Sequence, residues 1–220
     1  MRSSIGPCYF GSVLESVPEF APPQDLAAAA TGGDPAALDA YLAALKARSL
    51  ARREHLGAHL GIETLDVQAD RVTMRMAWRA ELRRGGGIFH GGALMALADH
   101  VAGTVFNTDP RIPAAGKTGL TTDFSASFLR GAEPGEAAVA TGWVLRRGRS
   151  VTFMQIEIRG EKSGAVLVIC RTTYVTVARD SLGKGAGAGK DGERALPPGR
   201  PERGEAQEGR EGKGEGEPAR

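Results

Sequence analysis

The chain has 220 residues, which is enough for one sizeable domain with additional segments. Hydrophobic residues make up 41% of it and charged residues 25%, both ordinary for a globular protein. The formal net charge is only +2, so overall charge gives no reason to expect a nucleic-acid partner or a membrane surface. The most apolar stretch, residues 93–106, is too short to span a bilayer, and cytoplasm is the default location.

Residues 1–55 are predicted to be an N-terminal extension that is partly helical. Apolar residues recur at helical spacing from position 35 to position 56. Asp34 is a suitable N-cap with Pro35 at the first helical position, and Gly57 is a candidate for the end of the helix. The pattern allows two interpretations: the helix belongs to the domain, or it is an appendage that docks on it.

Residues 56–179 are predicted to carry the fold. Ranges 62–68 and 71–79 are strand-like, with Asp70 in the turn between them, and a glycine-rich loop at 85–87 leads to a helix over 93–107. Four further strands follow, at 118–129, 136–146, 150–160 and 165–178. This order predicts an α+β fold with a mostly antiparallel sheet.

The last zone, residues 180–220, is rich in Gly, Glu, Lys and Arg and has no aromatic residue. Such a segment cannot bury enough apolar surface to offset the entropy lost on ordering, so we predict a disordered tail. The two cysteines, Cys8 and Cys170, lie far apart without the spacing of metal ligands, which favours free thiols.

The predicted helix at 93–106 is apolar nearly all the way round. A helix of this kind is buried on most sides. Six strands and one such helix are most economically arranged as a curved sheet wrapped around the helix. The sequence therefore predicts the hotdog fold.

Asp99 places a carboxylate in the middle of this helix. A buried ionised carboxylate costs several kcal/mol unless it is paired or hydrogen-bonded. One interpretation is structural, with His100 or a backbone N–H as the partner. The other is functional, with Asp99 as a base or nucleophile at an active-site wall.

The triplet His90-Gly91-Gly92 stands where the loop enters the helix. Glycine lets a ligand approach the backbone closely, and the first N–H groups of a helix have no intrahelical acceptor. These amides could stabilise an oxyanion. A tight turn without chemistry is the alternative.

Gly91 and Asp99 are eight residues apart, which is roughly 12 Å along an α-helix. Both cannot contact one carbonyl carbon from the same helix. If both act on one substrate, two copies of the helix must lie side by side, so we expect at least a homodimer, with a homotetramer also open.

Several segments resemble the PaaI-like hotdog thioesterases, which are related to the 4-hydroxybenzoyl-CoA thioesterases that carry a carboxylate on the central helix. The resemblance covers roughly residues 56–177. It is carried by Leu60-Gly61-Ile62, Gly87-Ile88-Phe89-His90-Gly91-Gly92-Ala93-Leu94-Met95-Ala96-Leu97-Ala98-Asp99, Thr121-Thr122-Asp123-Phe124-Ser125, Phe128-Leu129-Arg130 and Arg146-Arg147-Gly148-Arg149-Ser150.

The resemblance implies roles for residues in the helix motif. The Gly91 N–H would bind the thioester oxygen, with Gly92 also at the substrate. Asp99 of the other subunit would attack the carbonyl or activate a water. His90 would order the loop, and Thr121 would position the water. His100 points about 100° away from Asp99 on a helix and is interpreted as structural.

The resemblance also implies a site for coenzyme A. Arg147, Gly148, Arg149 and Ser150 lie where the family passes the pantetheine and phosphates, and arginines suit phosphates. A solvated basic turn is the alternative. Arg84 replaces an Asn that several relatives have six residues before the motif histidine. Either Arg84 contacts the CoA phosphates or that polar function is lost.

The predicted activity is hydrolysis of an acyl-CoA or aryl-CoA to the free acid and CoA, with no metal and no redox cofactor. A hotdog module that binds acyl-CoA without turnover is the alternative, and Asp99 argues against it. A hotdog hydratase or dehydratase is a further alternative, whose motif differs from this one.

Overall fold

The computed structural model describes residues 24–51 and 55–182. The prediction of a disordered tail falls outside these residues from position 183 onward, and Cys8 lies outside them as well. Cys170 is a free, buried thiol.

The N-terminal extension contains helices α1 (Gln24–Ala30) and α2 (Pro35–Ala51). The predicted start of α2 is confirmed, because the carboxylate of Asp34 accepts a hydrogen bond from the Ala36 N–H at 3.0 Å. The predicted end at Gly57 is wrong. Gly57 lies in a separate short helix, α3 (Leu56–His59), and the imidazole of His100 packs where its side chain would be.

Helix α2 packs against the first strand of the sheet and is fastened by one buried tyrosine. The hydroxyl of Tyr41 donates to the carbonyl oxygen of Asn107 at 2.7 Å. Asn107 is the C-cap of the central helix, α4 (Gly91–Phe106). The helical extension therefore docks over the C-terminal end of α4, next to the short helix α5 (Arg111–Ala114).

The sheet has six strands in the order β1-β2-β4-β5-β6-β3, and every neighbouring pair is antiparallel. The strands are β1 (Ile62–Gln68), β2 (Arg71–Met76), β3 (Lys117–Phe128), β4 (Ala138–Arg147), β5 (Val151–Gly160) and β6 (Val166–Ala178). Five of them match the predicted ranges within two residues. Strand β2 ends three residues early because a 3-10 turn, Ala80–Leu82, follows it.

Helix α4 contacts β2, β3, β4, β5 and β6, so the sheet wraps around it as predicted for a hotdog fold. The close approach depends on small residues on the inner face of β4, namely Ala138, Ala140 and Gly142. A Cβ at Gly142 would lie 2.6 Å from a methyl carbon of Val101 on the helix. Gly142 thus makes room for the fully buried aliphatic face of α4.

One face of α4 is exposed, which differs from the predicted burial on most sides. Gly92, Met95 and Asp99 are spaced three and four residues apart and form an exposed stripe. The expectation that Asp99 is buried is therefore wrong for the single chain. The large apolar residue of this stripe is Met95, whose side chain is 39% exposed.

Candidate active site

The first turn of α4 is capped by His90. Its backbone is extended (φ −68°, ψ 135°), and its Nδ1 accepts a hydrogen bond from the Gly92 N–H at 3.0 Å. Because Nδ1 is the acceptor, the neutral ring carries its proton on Nε2, on an exposed side chain. His90 therefore orders the start of the helix, and the Gly92 N–H is already hydrogen-bonded to its ring.

The Gly91 N–H has no acceptor among the described residues. It lies at the positive end of the α4 dipole, where a partly negative oxygen is stabilised. The ring of Phe128 lies against Gly91, since a Cβ there would be 3.2 Å from ring atom Cε1. Of the two glycines in the motif, Gly91 rather than Gly92 has an amide available to a ligand.

Asp99 lies two turns further along α4. Its Oδ1 accepts hydrogen bonds from the hydroxyls of Thr121 and Tyr174, each at 3.3 Å. These two hydroxyls take the place of the structural partners considered from the sequence, His100 and a backbone N–H. His100 instead packs against Gly57. Thr121 lies beside Asp99, and its predicted role of positioning the water stays a prediction. Sequence reasoning missed Tyr174.

Thr121 and Tyr174 are paired residues on adjacent strands β3 and β6. The register of β3 shifts directly after Thr121, before Asp123, so the ladder is irregular at the site. Burial raises the pKa of the Tyr174 phenol, a hydrogen bond with Thr121 offsets part of that rise, and the negative charge of Asp99 raises the pKa further. Tyr174 therefore remains a protonated donor at neutral pH. The alternation of residues along β6 indicates that the Tyr174 side chain points inward. The sequence alone does not reveal its pairing with Thr121.

The structure gives Arg147 a different role from the predicted phosphate contact. Its guanidinium donates to Asp70 at 2.7 Å and to the carbonyl oxygens of Val105 and Phe106 at 3.0 and 3.2 Å. A fourth bond, at 3.2 Å, goes to the hydroxyl of Thr108. Four of its five N–H donors are thus used, and two of them satisfy the last carbonyl groups of α4. These bonds hold Arg147 within the chain, and its contact with CoA stays a prediction.

A bulge in β4 explains why Arg147 turns inward. The register of β4 against β5 shifts between Val144 and Arg146, so one extra residue enters the strand at Leu145. Without that residue, alternation would direct Arg147 outward with Trp143. The rest of the predicted CoA turn, Gly148, Arg149 and Ser150, is exposed.

Arg84 is also exposed, in the glycine-rich loop before His90. The loop is a hairpin-like turn in which the Arg84 N–H donates to the Ile88 carbonyl at 2.9 Å. The Arg84 side chain bonds only to the carbonyl oxygen of Gly85, at 3.3 Å, among the described residues. It is therefore available to a ligand.

Residues 86–167 match the sequence profile of the thioesterase superfamily. A Deinococcus radiodurans protein named "Putative esterase" is 34% identical to this chain over 120 residues, which are 54% of this chain and 71% of that protein. The chain belongs to the thioesterase superfamily. It is a thioester hydrolase.

Two solved structures resemble this thioesterase. One is a thioesterase from Haemophilus influenzae, with 25% identity and a TM-score of 0.55, covering 63% of this chain and 91% of that one. The other is the Escherichia coli PaaI protein from the phenylacetic acid degradation operon, with 21% identity and a TM-score of 0.53, covering 60% and 91%. The second likeness shows the fold, and it agrees with the PaaI-like hotdog fold expected from the sequence.

The matched residues 86–167 include His90, Gly91, Asp99 and Thr121 but end before Tyr174. Across the two described stretches, 24–51 and 55–182, no helix of this thioesterase has both the length and the apolar character to cross a membrane.

Proposed function

We propose that this thioesterase hydrolyses an acyl-CoA or aryl-CoA to the free acid and CoA at a site shared by two copies of the chain. The observation that carries the proposal is the presence of two reactive groups on the central helix, α4. The Gly91 amide lacks an acceptor among the described residues, and the Asp99 carboxylate is held by hydroxyls on one oxygen. An oxyanion donor and a carboxylate are the two groups that thioester hydrolysis needs.

Two copies are required because Gly91 and Asp99 both belong to α4. They are roughly 12 Å apart along its axis, so one carbonyl carbon cannot contact both. Two antiparallel copies of α4 would bring the start of one helix next to the middle of the other. The exposed stripe of Gly92, Met95 and Asp99 is available for that contact in the single chain.

The sheet edge supports the same arrangement. Strand β3 lies at one end of the strand order and is 12 residues long. Leu120 and Phe128 on it are 41% and 50% exposed. A long, flat edge strand with exposed apolar residues is normally covered by another chain or element. A second β3 would cover it and would place both Gly91 sites near the shared boundary.

Two chemical routes fit these groups. In the first, Asp99 takes a proton from water while the water oxygen bonds to the acyl carbon, and the carbonyl electrons move to the oxygen held by Gly91. The C–S bond then breaks, and the CoA sulfur takes the proton from Asp99. In the second, a carboxylate oxygen of Asp99 bonds to the acyl carbon and displaces CoA. Water then hydrolyses the resulting anhydride.

Thiol release from short, long and aromatic acyl-CoAs tests the activity, with Asp99→Ala as the comparison. We expect the intact thioesterase to release CoA from at least one class and the variant to release little. Binding of CoA esters without thiol release would favour the binding module instead. Hydration of crotonyl-CoA would favour the hydratase.

Complementation between two variants tests the shared site. Gly91→Pro removes the amide proton, and proline suits the first helical position after the extended His90. Asp99→Asn removes the carboxylate. Each variant alone should be nearly inactive, while mixed dimers restore one site of two, so a mixture allowed to exchange subunits should regain about a quarter of the wild-type activity.

The exchange itself needs a control, because inactive mixtures also arise when subunits do not mix. Two different affinity tags on the variants report the fraction of mixed dimers. Mixed dimers that form and remain inactive would contradict a site built from two chains. A chain that is monomeric at assay concentration and still active would contradict it as well.

In the turn after β4, Arg149 is the exposed arginine that is proposed to contact the CoA phosphates. We expect Arg149→Ala to raise KM for acyl-CoA about five- to tenfold with little change in kcat, because it removes one charge-assisted hydrogen bond. The matching N-acetylcysteamine thioester has no phosphates, so its KM should be unchanged. An equal rise in both KM values would place Arg149 elsewhere in the site, and no rise in either would remove it from the site.

A further inference from the structure

Both hydroxyl donors to Asp99 bond to the same carboxylate oxygen. Thr121 is an exposed residue of β3, whereas Tyr174 is 6% exposed and comes from β6. The other oxygen, Oδ2, receives no hydrogen bond from the described residues. The two carboxylate oxygens therefore differ: Oδ1 is held by two hydroxyls, whereas Oδ2 is open.

The Tyr174 ring is held by the core. Its centroid lies 5.4 Å from that of Phe106, with the ring planes tilted by 31°. Phe106 is fully buried against Gly119, where a Cβ would lie 2.6 Å from the ring. The Arg147 guanidinium carbon lies 6.0 Å from the Phe106 centroid. Tyr174 therefore presents its hydroxyl from a position with little freedom, because packing fixes its rotamer.

Thr121 is held less firmly than Tyr174. It is an exposed residue next to the irregular part of the β3 ladder, on the edge strand of the sheet. A phenol on a packed ring is the more rigid of the two donors. Rigid placement of a reacting group contributes to rate because small misplacements are costly.

We propose that Tyr174 is a positioning residue that fixes Oδ1 of Asp99 so that Oδ2 is directed at the thioester or at the attacking water. The proposal rests on the proposed function of Asp99 and adds the residue that orients it. Tyr174 touches neither substrate nor water in this role. It acts on rate through the rotamer and the charge of Asp99.

Tyr174→Phe removes one oxygen atom and tests the proposal. We expect kcat to fall about tenfold with KM within about twofold, because the substrate contacts are kept while the rotamer of Asp99 is no longer fixed. The variant should fold, because Asp99 is exposed and keeps Thr121, so no buried acceptor is left unpaired. A thermal melt checks this.

Tyr41→Phe is the matched control. Tyr41 is also a buried tyrosine with one hydroxyl bond, and its acceptor is the Asn107 carbonyl at the far end of α4. It should lower the melting temperature without moving kcat or KM. An equal loss of kcat in both variants would assign the effect to stability and overturn the proposal.

The double variant Tyr174→Phe/Asp99→Asn separates the positioning role of Tyr174 from the proposed function of Asp99. If Tyr174 acts through Asp99, adding Tyr174→Phe to Asp99→Asn leaves the residual rate unchanged. A further tenfold loss would overturn the positioning role. Tyr174→Phe with a normal kcat would overturn it too, while an inactive Asp99→Asn would still support the proposed function. A fully active Asp99→Asn would instead refute the proposed function itself.

Discussion

Asp99→Asn lowers kcat for acyl-CoA hydrolysis by about two orders of magnitude or more and leaves the fold intact. The loss has the size expected for removal of a general base or nucleophile. The amide keeps the shape of the carboxylate, and its oxygen can still accept from Thr121 and Tyr174. It can neither take up a proton at neutral pH nor attack a carbonyl. Because Asp99 is exposed in the single chain, a change in stability contributes little to this loss of kcat.

Thiol release at saturating substrate measures the effect, and a thermal melt verifies the fold. Asp123→Asn is a suitable control, since Asp123 is an equally exposed carboxylate on β3, two residues after Thr121. It should retain nearly full activity. A near-normal rate for Asp99→Asn would refute the assignment of this residue.

Arg147→Met produces the largest expected loss of stability. It removes four hydrogen bonds and leaves the carbonyl oxygens of Val105 and Phe106 without these donors at the end of α4. Breaking a largely buried charged network of this kind costs about 2–4 kcal/mol. For a domain of this size, that corresponds to a fall in melting temperature of roughly 5–15 °C.

Arg149→Met is the matched control, because Arg149 lies two residues away in the same turn and is exposed. Its melting temperature should stay within about 2 °C of the wild-type value. The opposite result for Arg147→Met would support the contact with CoA that the sequence predicted. If Arg147→Met melts normally and raises KM for CoA thioesters, then Arg147 is a CoA ligand and not a helix clamp.

The strands and the central helix could be predicted because their signals are local. Alternation marks β2, turn residues separate β3 to β6, and the length and composition of α4 distinguish it from a strand. Errors of one to three residues remained at the ends. They arose where a non-local contact decides the boundary, such as the bond from the Trp78 indole to the Gly87 carbonyl that follows the end of β2.

The candidate site was predicted less completely, for a physical reason. The motif around His90 and Gly91 is contiguous, so its cap geometry follows from neighbouring residues. Tyr174 reaches Asp99 only through the register of β6 against β3, which no local pattern encodes. Arg147 turns inward only because an extra residue enters β4, and a bulge reverses every side-chain direction beyond it.

The two ends of α4 differ in how much freedom they leave for change. At one end, Tyr41 and Arg147 bond to the last carbonyl groups and join three elements, α2, β4 and α4. At the other end, the Gly91 amide has no acceptor among the described residues. Substitutions in the glycine loop before α4 should therefore cost less stability than substitutions at Tyr41 or Arg147, so the start of the helix tolerates sequence change better than its end.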